Sequence, residues 1–156
     1  MSQLNPEISH AITSYFQEHH LGDLETETVM CCETASTKKN VGGLFANLNP
    51  AADTTIHTGL LLTSDWLIWV RRGDKSGPLL SAANLNKIIV NTYKSMFIDD
   101  AGLEIIGYIG DSKLVVKGYV GMGPEPATQK FCDEVKQAIV KKNPPKQKTW
   151  PKWFGG

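Results

Sequence analysis

No run in this 156-residue chain approaches the roughly eighteen consecutive apolar residues that a membrane-spanning helix requires. Residues 1–25 show no basic segment leading into an apolar core, so no signal peptide is expected. The chain has three cysteines and no C-x-x-C spacing, which argues against both a zinc knuckle and a secreted disulfide scaffold. Cys31 and Cys32 are adjacent in an expected strand, where neighbouring side chains point to opposite faces and cannot share a metal. Fourteen glycines include neither the P-loop nor the dinucleotide fingerprint, so no phosphate cradle is expected. Net charge is zero, without the basic stripe of a nucleic-acid binder. These absences point to a cytoplasmic protein with no cofactor, no metal and no nucleic-acid partner.

Catalytic constellations are equally scarce. His19 and His20 are neighbours on an expected helix, where they diverge by about 100°, whereas useful pairs lie three or four residues apart. His10 and His57 have no predictable proximity to a serine or cysteine nucleophile. Asp99-Asp100 reads as a turn, since aspartate bonds to local backbone amides. The expectation is a protein that is not an enzyme.

What the chain does have is β-preferring bulk, concentrated in Ile56–Arg72 (IHTGLLLTSDWLIWVRR). Two apolar runs joined by Thr63-Ser64-Asp65 read as a central hairpin. Ile56, Thr58, Leu60 and Leu62 share one face of the first arm, and His57, Gly59, Leu61 and Thr63 share the other. In the second arm Trp66, Ile68 and Val70 oppose Leu67, Trp69 and Arg71. Apolar residues on both sides mean that both faces need cover.

The flanking segments offer it. Asn5-Pro6-Glu7 combines a capping side chain, a proline at the first helical position and an acid, and it opens a helix over residues 5–21 that stops at Gly22. Ile8, Ile12, Tyr15, Phe16 and His19 follow at helical spacing. Thr28–Thr34 reads as a strand. Residues 36–55 form a long connection that includes Leu44 and Phe45, and part of it could be a further strand. Gly73–Gly77 is a polar turn. Lys87–Tyr93 and Met96–Ile98 read as strands. Leu103–Ile109 and Lys113–Val120 form a second hairpin across Gly110-Asp111-Ser112, with Leu114, Val116 and Val120 inward. After a break at Gly121–Pro126, a helix runs to about Lys142 with Ala127, Phe131, Val135, Ala138 and Ile139 on one face. Pro144 and Pro145 end it.

About seven antiparallel strands followed by one amphipathic helix make an α+β protein. That order, with TGLLLTSDWLIWVRR followed by SGPLLSAANLNKIIV, resembles the pleckstrin-homology-like (PH-like) domains of the bacterial PH-like and GRAM-like type. The resemblance covers roughly residues 28–142 and implies a strongly bent sheet, or near-orthogonal sandwich, closed by the C-terminal helix. A profilin-like sheet with terminal helices is the alternative fold. Residues 1–143 then form one globular domain, and residues 144–156 a Pro/Lys/Trp-containing tail. Lipid-binding PH domains carry a basic signature on the first strand pair and a tryptophan in the closing helix. Here only Lys38 and Lys39 lie near the first loop, and the helix has Phe131 instead.

Charge and exposed bulk mark the candidate sites. Residues 1–55 hold seven acids against two lysines, and residues 56–156 hold fourteen bases against nine acids. In a PH-like fold Lys38, Lys39, Arg71, Arg72 and Lys75 would converge as an anion or lipid site. Leu44, Phe45, Trp150, Trp153 and Phe154 are the candidate partner-binding residues, with an open sheet edge as a further surface. The expected function is a non-catalytic module that binds a protein partner or self-associates. The alternatives are attachment to anionic membrane through the basic loops and tail, and a small enzyme of unknown reaction.

Overall fold

The structure is a computed structural model, and residues 4–37, 55–94, 101–121 and 126–142 are described. The expected tail, Leu44, Phe45 and the Met96–Ile98 strand fall outside those residues. Within them the chain is α+β, with seven strands in two antiparallel sheets, one of four strands and one of three. The strands of the two sheets are not joined into a closed barrel.

The first sheet has the order β1-β2-β3-β4, comprising Thr28–Thr37, Thr55–Thr63, Trp66–Gly73 and Leu79–Asn84. Its middle is the expected hairpin. Leu60 pairs with Trp69 and Leu62 with Leu67 on one face, while Leu61 pairs with Ile68 on the other. The turn holds because Thr63 Oγ1 accepts the Trp66 and Asp65 N–H groups at 2.9 and 3.2 Å. The second sheet, β5-β6-β7, comprises Ile88–Lys94, Ala101–Gly107 and Val116–Gly121.

The two faces of the hairpin feed two cores. Leu60, Leu62, Leu67 and Trp69 pack with Val90, Leu103, Ile105 and Val120 of the second sheet and with Phe131 and Val135 of helix α3 (Pro126–Lys142). Leu61, Ile68, Val70 and Ala82 pack under helix α1 (Pro6–Glu18) against Ile8, Ile12 and Phe16, with Trp66 half-buried at the margin. Each fully buried aliphatic or aromatic side chain contributes about 1.5–3 kcal/mol, so the hairpin anchors both cores.

Helix α1 begins as its sequence suggests, with Asn5 Oδ1 accepting the Glu7 N–H at 2.9 Å. It stops earlier than Gly22. His20 takes the left-handed conformation at φ 53°. The Leu21 N–H then bonds the Phe16 carbonyl at 3.0 Å and the His20 N–H bonds that of Gln17 at 3.4 Å. This Schellman arrangement has histidine where glycine is usual, and Leu21 packs back on the helix's own core. A four-residue helical turn, α2 (Leu24–Glu27), leads into β1.

Contact between α1 and the sheet is closest at Gly59, where any Cβ would collide with Ile8 Cγ2. Two polar ties hold the start of the same helix. Glu33 Oε2 accepts the Asn5 N–H at 2.7 Å, and Arg72 Nε donates to Glu7 Oε2 at 2.5 Å.

Three sequence expectations change. Strand β4 was passed over, because Ser81-Ala82-Ala83 lacks β-branched bulk. Its alanines are small enough to sit under both cores. The second hairpin is shorter than expected, since residues 108–115 leave the ladder. The Tyr108 N–H bonds the Lys87 carbonyl at 3.1 Å and the Gly110 N–H bonds the Ala82 carbonyl at 2.8 Å, drawing the loop across β4. Gly107, at φ 149°, allows the departure, because a Cβ there would strike the Lys87 carbonyl. Leu114 and Val116 are consequently outward, with Leu114 76% exposed, and only Val120 is inward.

The outer edge of β7 is also occupied. Arg71 Nη2 donates to the Tyr119 carbonyl, and Thr34 Oγ1 donates to the Gly121 carbonyl at 3.4 Å. Both carbonyls belong to residues of one parity and so face the same side of the strand. Side chains of the first sheet thus bridge to the second where no strand ladder does.

Gly59→Ala is expected to destabilise the fold by about 1–3 kcal/mol through overpacking against Ile8. Ile8→Ala in the same chain should recover part of that loss, read by chemical denaturation. Additive losses would show that α1 does not bear on Gly59. His20→Gly should stabilise by about 1 kcal/mol, because glycine takes the left-handed conformation without a Cβ penalty. A lowered melting temperature would contradict that geometry.

Candidate binding groove

Among the described residues, three of the four sheet faces are covered. The inner faces cover one another, and α1 covers the outer face of the first sheet. The outer face of the second sheet carries Ile89 opposite Ile106 in register, and Ile89 is 57% exposed. These residues open into a groove of about 950 Å³. One wall is Ile139 and Val140, from the last turns of α3. Another is the 108–115 loop, through Tyr108, Asp111 and Val115. Trp66 and Asn84 form the end toward the first sheet. Val115 and Val140 are 61% and 57% exposed, so apolar bulk rims a concavity instead of filling a core.

Local chemistry shapes the loop that builds this rim. Ser112 Oγ donates to the Leu114 carbonyl at 2.7 Å, and the Ser112 N–H bonds the Ile109 carbonyl at 3.2 Å. The resulting turn presents Leu114 and Val115 to solvent. The Asp111 carboxylate lies close enough to Tyr15 of α1 to act with burial, the larger cause, in raising that phenol above its ordinary pKa. At the opposite corner Lys142 pairs with Asp65 in the hairpin turn, tying the end of α3 to the first sheet.

Of the five candidate anion-site cations, three are among the described residues. Arg71 and Arg72 are consecutive on β3 and point to opposite faces: Arg71 reaches β7, and Arg72 pairs with Glu7 of α1. Lys75 is exposed on the turn after β3. Lys38 and Lys39 lie outside the described residues, as do Leu44, Phe45, Trp150, Trp153 and Phe154. The groove residues Ile89, Tyr108, Val115 and Val140 were not anticipated. A signal existed in Ile88-Ile89-Val90, where a run apolar at every position places one residue on the face away from the core.

Lys87, Tyr108 and Asp111 are the titratable residues lining the groove, and the histidines and cysteines lie apart from it. His57 Nδ1 is 3.9 Å from Glu33 Oε1 beside the start of α1. His19 stacks on Tyr15 with ring centroids 4.0 Å apart. Among the described residues no three His, Cys, Asp or Glu side chains gather as a metal site. Among them, too, no helix is long and apolar enough to cross a membrane. No disulfide joins the cysteines. Burial first, then the neighbouring Cys31 and Cys132 sulfurs, pushes the Cys32 thiol up to about 12. The Cys132 thiol is likewise raised by burial. No protein-family model matches the chain, and no curated protein matches its sequence.

A thiol with a raised pKa stays protonated and unreactive at neutral pH. Alkylation of the folded protein at pH 8 should therefore leave Cys32 and Cys132 unmodified long after they react in denaturant, as read by peptide mass spectrometry. The sign of the linkage follows: stabilisation from the neutral Cys32 thiol is complete below the unfolded value near 9 and is lost as pH rises toward about 12. Equal alkylation rates in folded and unfolded protein would overturn this burial.

Proposed function

We propose that the chain is a non-catalytic, PH-like interaction module that binds a protein partner, or a second copy of itself, through the groove on the second sheet. The supporting observation is the groove at the Ile89–Ile106 end of that sheet's outer face, where among the described residues Ile89, Tyr108, Val115 and Val140 surround a concavity. Apolar bulk gathered around a groove marks a contact surface, whereas singly scattered exposed residues do not. The PH-like reading is supported by a four-stranded and a three-stranded antiparallel sheet followed by a C-terminal helix. A cytoplasmic setting is proposed because none of the three cysteines is in a disulfide.

A photo-crosslinking residue at Val115 of the full chain tests this reading in cells of the natural host. Discrete protein adducts are expected at Val115, with none when the crosslinker replaces Gln17 on the exposed side of α1. Ile89→Asp should reduce the Val115 adducts at least tenfold while leaving the melting temperature within about 2 °C, since substitutions at exposed sites cost little stability. Adducts that survive Ile89→Asp would remove the groove from consideration, and adducts to lipid would assign the surface to a membrane.

A further inference from the structure

The groove's wall includes the end of α3. Ile139 and Val140 line it, and Lys142, the last described residue of the helix, lies two residues further on. The sequence that follows is NPPKQKTWPKWFGG. By sequence preference alone, the Pro144-Pro145 pair disfavours helix and favours extended, polyproline-type backbone. Trp150 lies eight residues beyond Lys142, a reach of about 25 Å when extended. The tail is therefore long enough to turn back over the wall from which it starts.

Its chemistry matches what the groove exposes. Trp150, Trp153 and Phe154 place three aromatic rings within five residues. In a polyproline helix of three residues per turn, Trp150 and Trp153 fall on one side, with Pro151 between them holding that geometry. Aromatic-lined grooves recognise such segments, and this one offers Trp66 and Tyr108 beside Ile89 and Val140. Asp111 and Lys87 both line the groove, so the aromatic rings and not charge carry the match.

We propose that the groove is occupied in cis by the chain's own Trp150–Phe154 segment, which an incoming partner must displace. This rests on the groove being the binding surface, and it adds that the surface is self-occluded.

Methyl spectra of the full chain provide the test. Replacing Trp150, Trp153 and Phe154 together by serine should shift the Ile89, Ile106, Val115 and Val140 methyls and leave Ile8 and Ile12 under α1 in place. A synthetic peptide of residues 143–156, added to that variant, should return the groove methyls toward their wild-type positions. In the otherwise native chain, Ile89→Asp should move tryptophan emission to the red by several nanometres, and the same change in the triple-serine chain should not.

Groove methyls indifferent to the triple substitution overturn the proposal. If Ile89→Asp still abolishes the Val115 crosslinks in that case, the binding surface stands without its occluding tail. Methyl shifts that grow with protein concentration, together with a doubled sedimenting mass, place the tail in a second copy and overturn occupation in cis. A wild-type methyl pattern that depends on the tail, with no partner crosslinked at the groove, makes the tail a permanent cover and overturns displacement.

Discussion

Everything in this molecule is arranged around a β-ribbon that is apolar on both sides. Leu60, Leu62, Leu67 and Trp69 on one face, and Leu61, Ile68 and Val70 on the other, cannot be satisfied by a single neighbour. Two separate covers follow. The second sheet and α3 close one side, and α1 lies directly on the other, seated at the one position of β2 that lacks a side chain. A helix with bulk at Ile8 needs a sheet with nothing at Gly59, so the two residues form one packing decision.

The same requirement limits where function can reside. Among the described residues the ribbon's two cores are filled mainly by aliphatic and aromatic side chains, and burial raises the Cys32 and Cys132 thiols in one of them. What remains is surface, and the surface is uneven. The first sheet has a helix on its outer face, while the second presents Ile89, Ile106 and their neighbours around a groove. That asymmetry, more than any single residue, supports the reading of a binding module.

Much of the fold could be read from the chain, and the reasons are physical. Apolar residues at every position of Leu60–Leu62 and Trp66–Val70 forecast that both faces of the hairpin are covered, and Asn5-Pro6 marked the start of α1. Strand β4 escaped because its residues were chosen for smallness where two cores meet. The 108–115 loop was misread because Leu114, Val116 and Val120 alternate like a strand. A tertiary bond from Gly110 to Ala82 overrides that local pattern. Arg71 and Arg72 were expected to converge through the loop placement of a PH-like fold, whereas the two-residue period of a strand sends them to opposite faces. The groove was the least accessible, since its lining comes from five stretches brought together only by folding: Trp66, 84–89, 106–112, Val115 and the end of α3.

One small feature has a wider reach. The outward carbonyls of Tyr119 and Gly121 already accept bonds from Arg71 and Thr34. An exposed β-edge is the natural template for fibrous stacking of identical chains. Here a guanidinium and a hydroxyl fill the places where a stranger's amide groups would dock. At those two carbonyls the margin of the sheet is closed to an added strand.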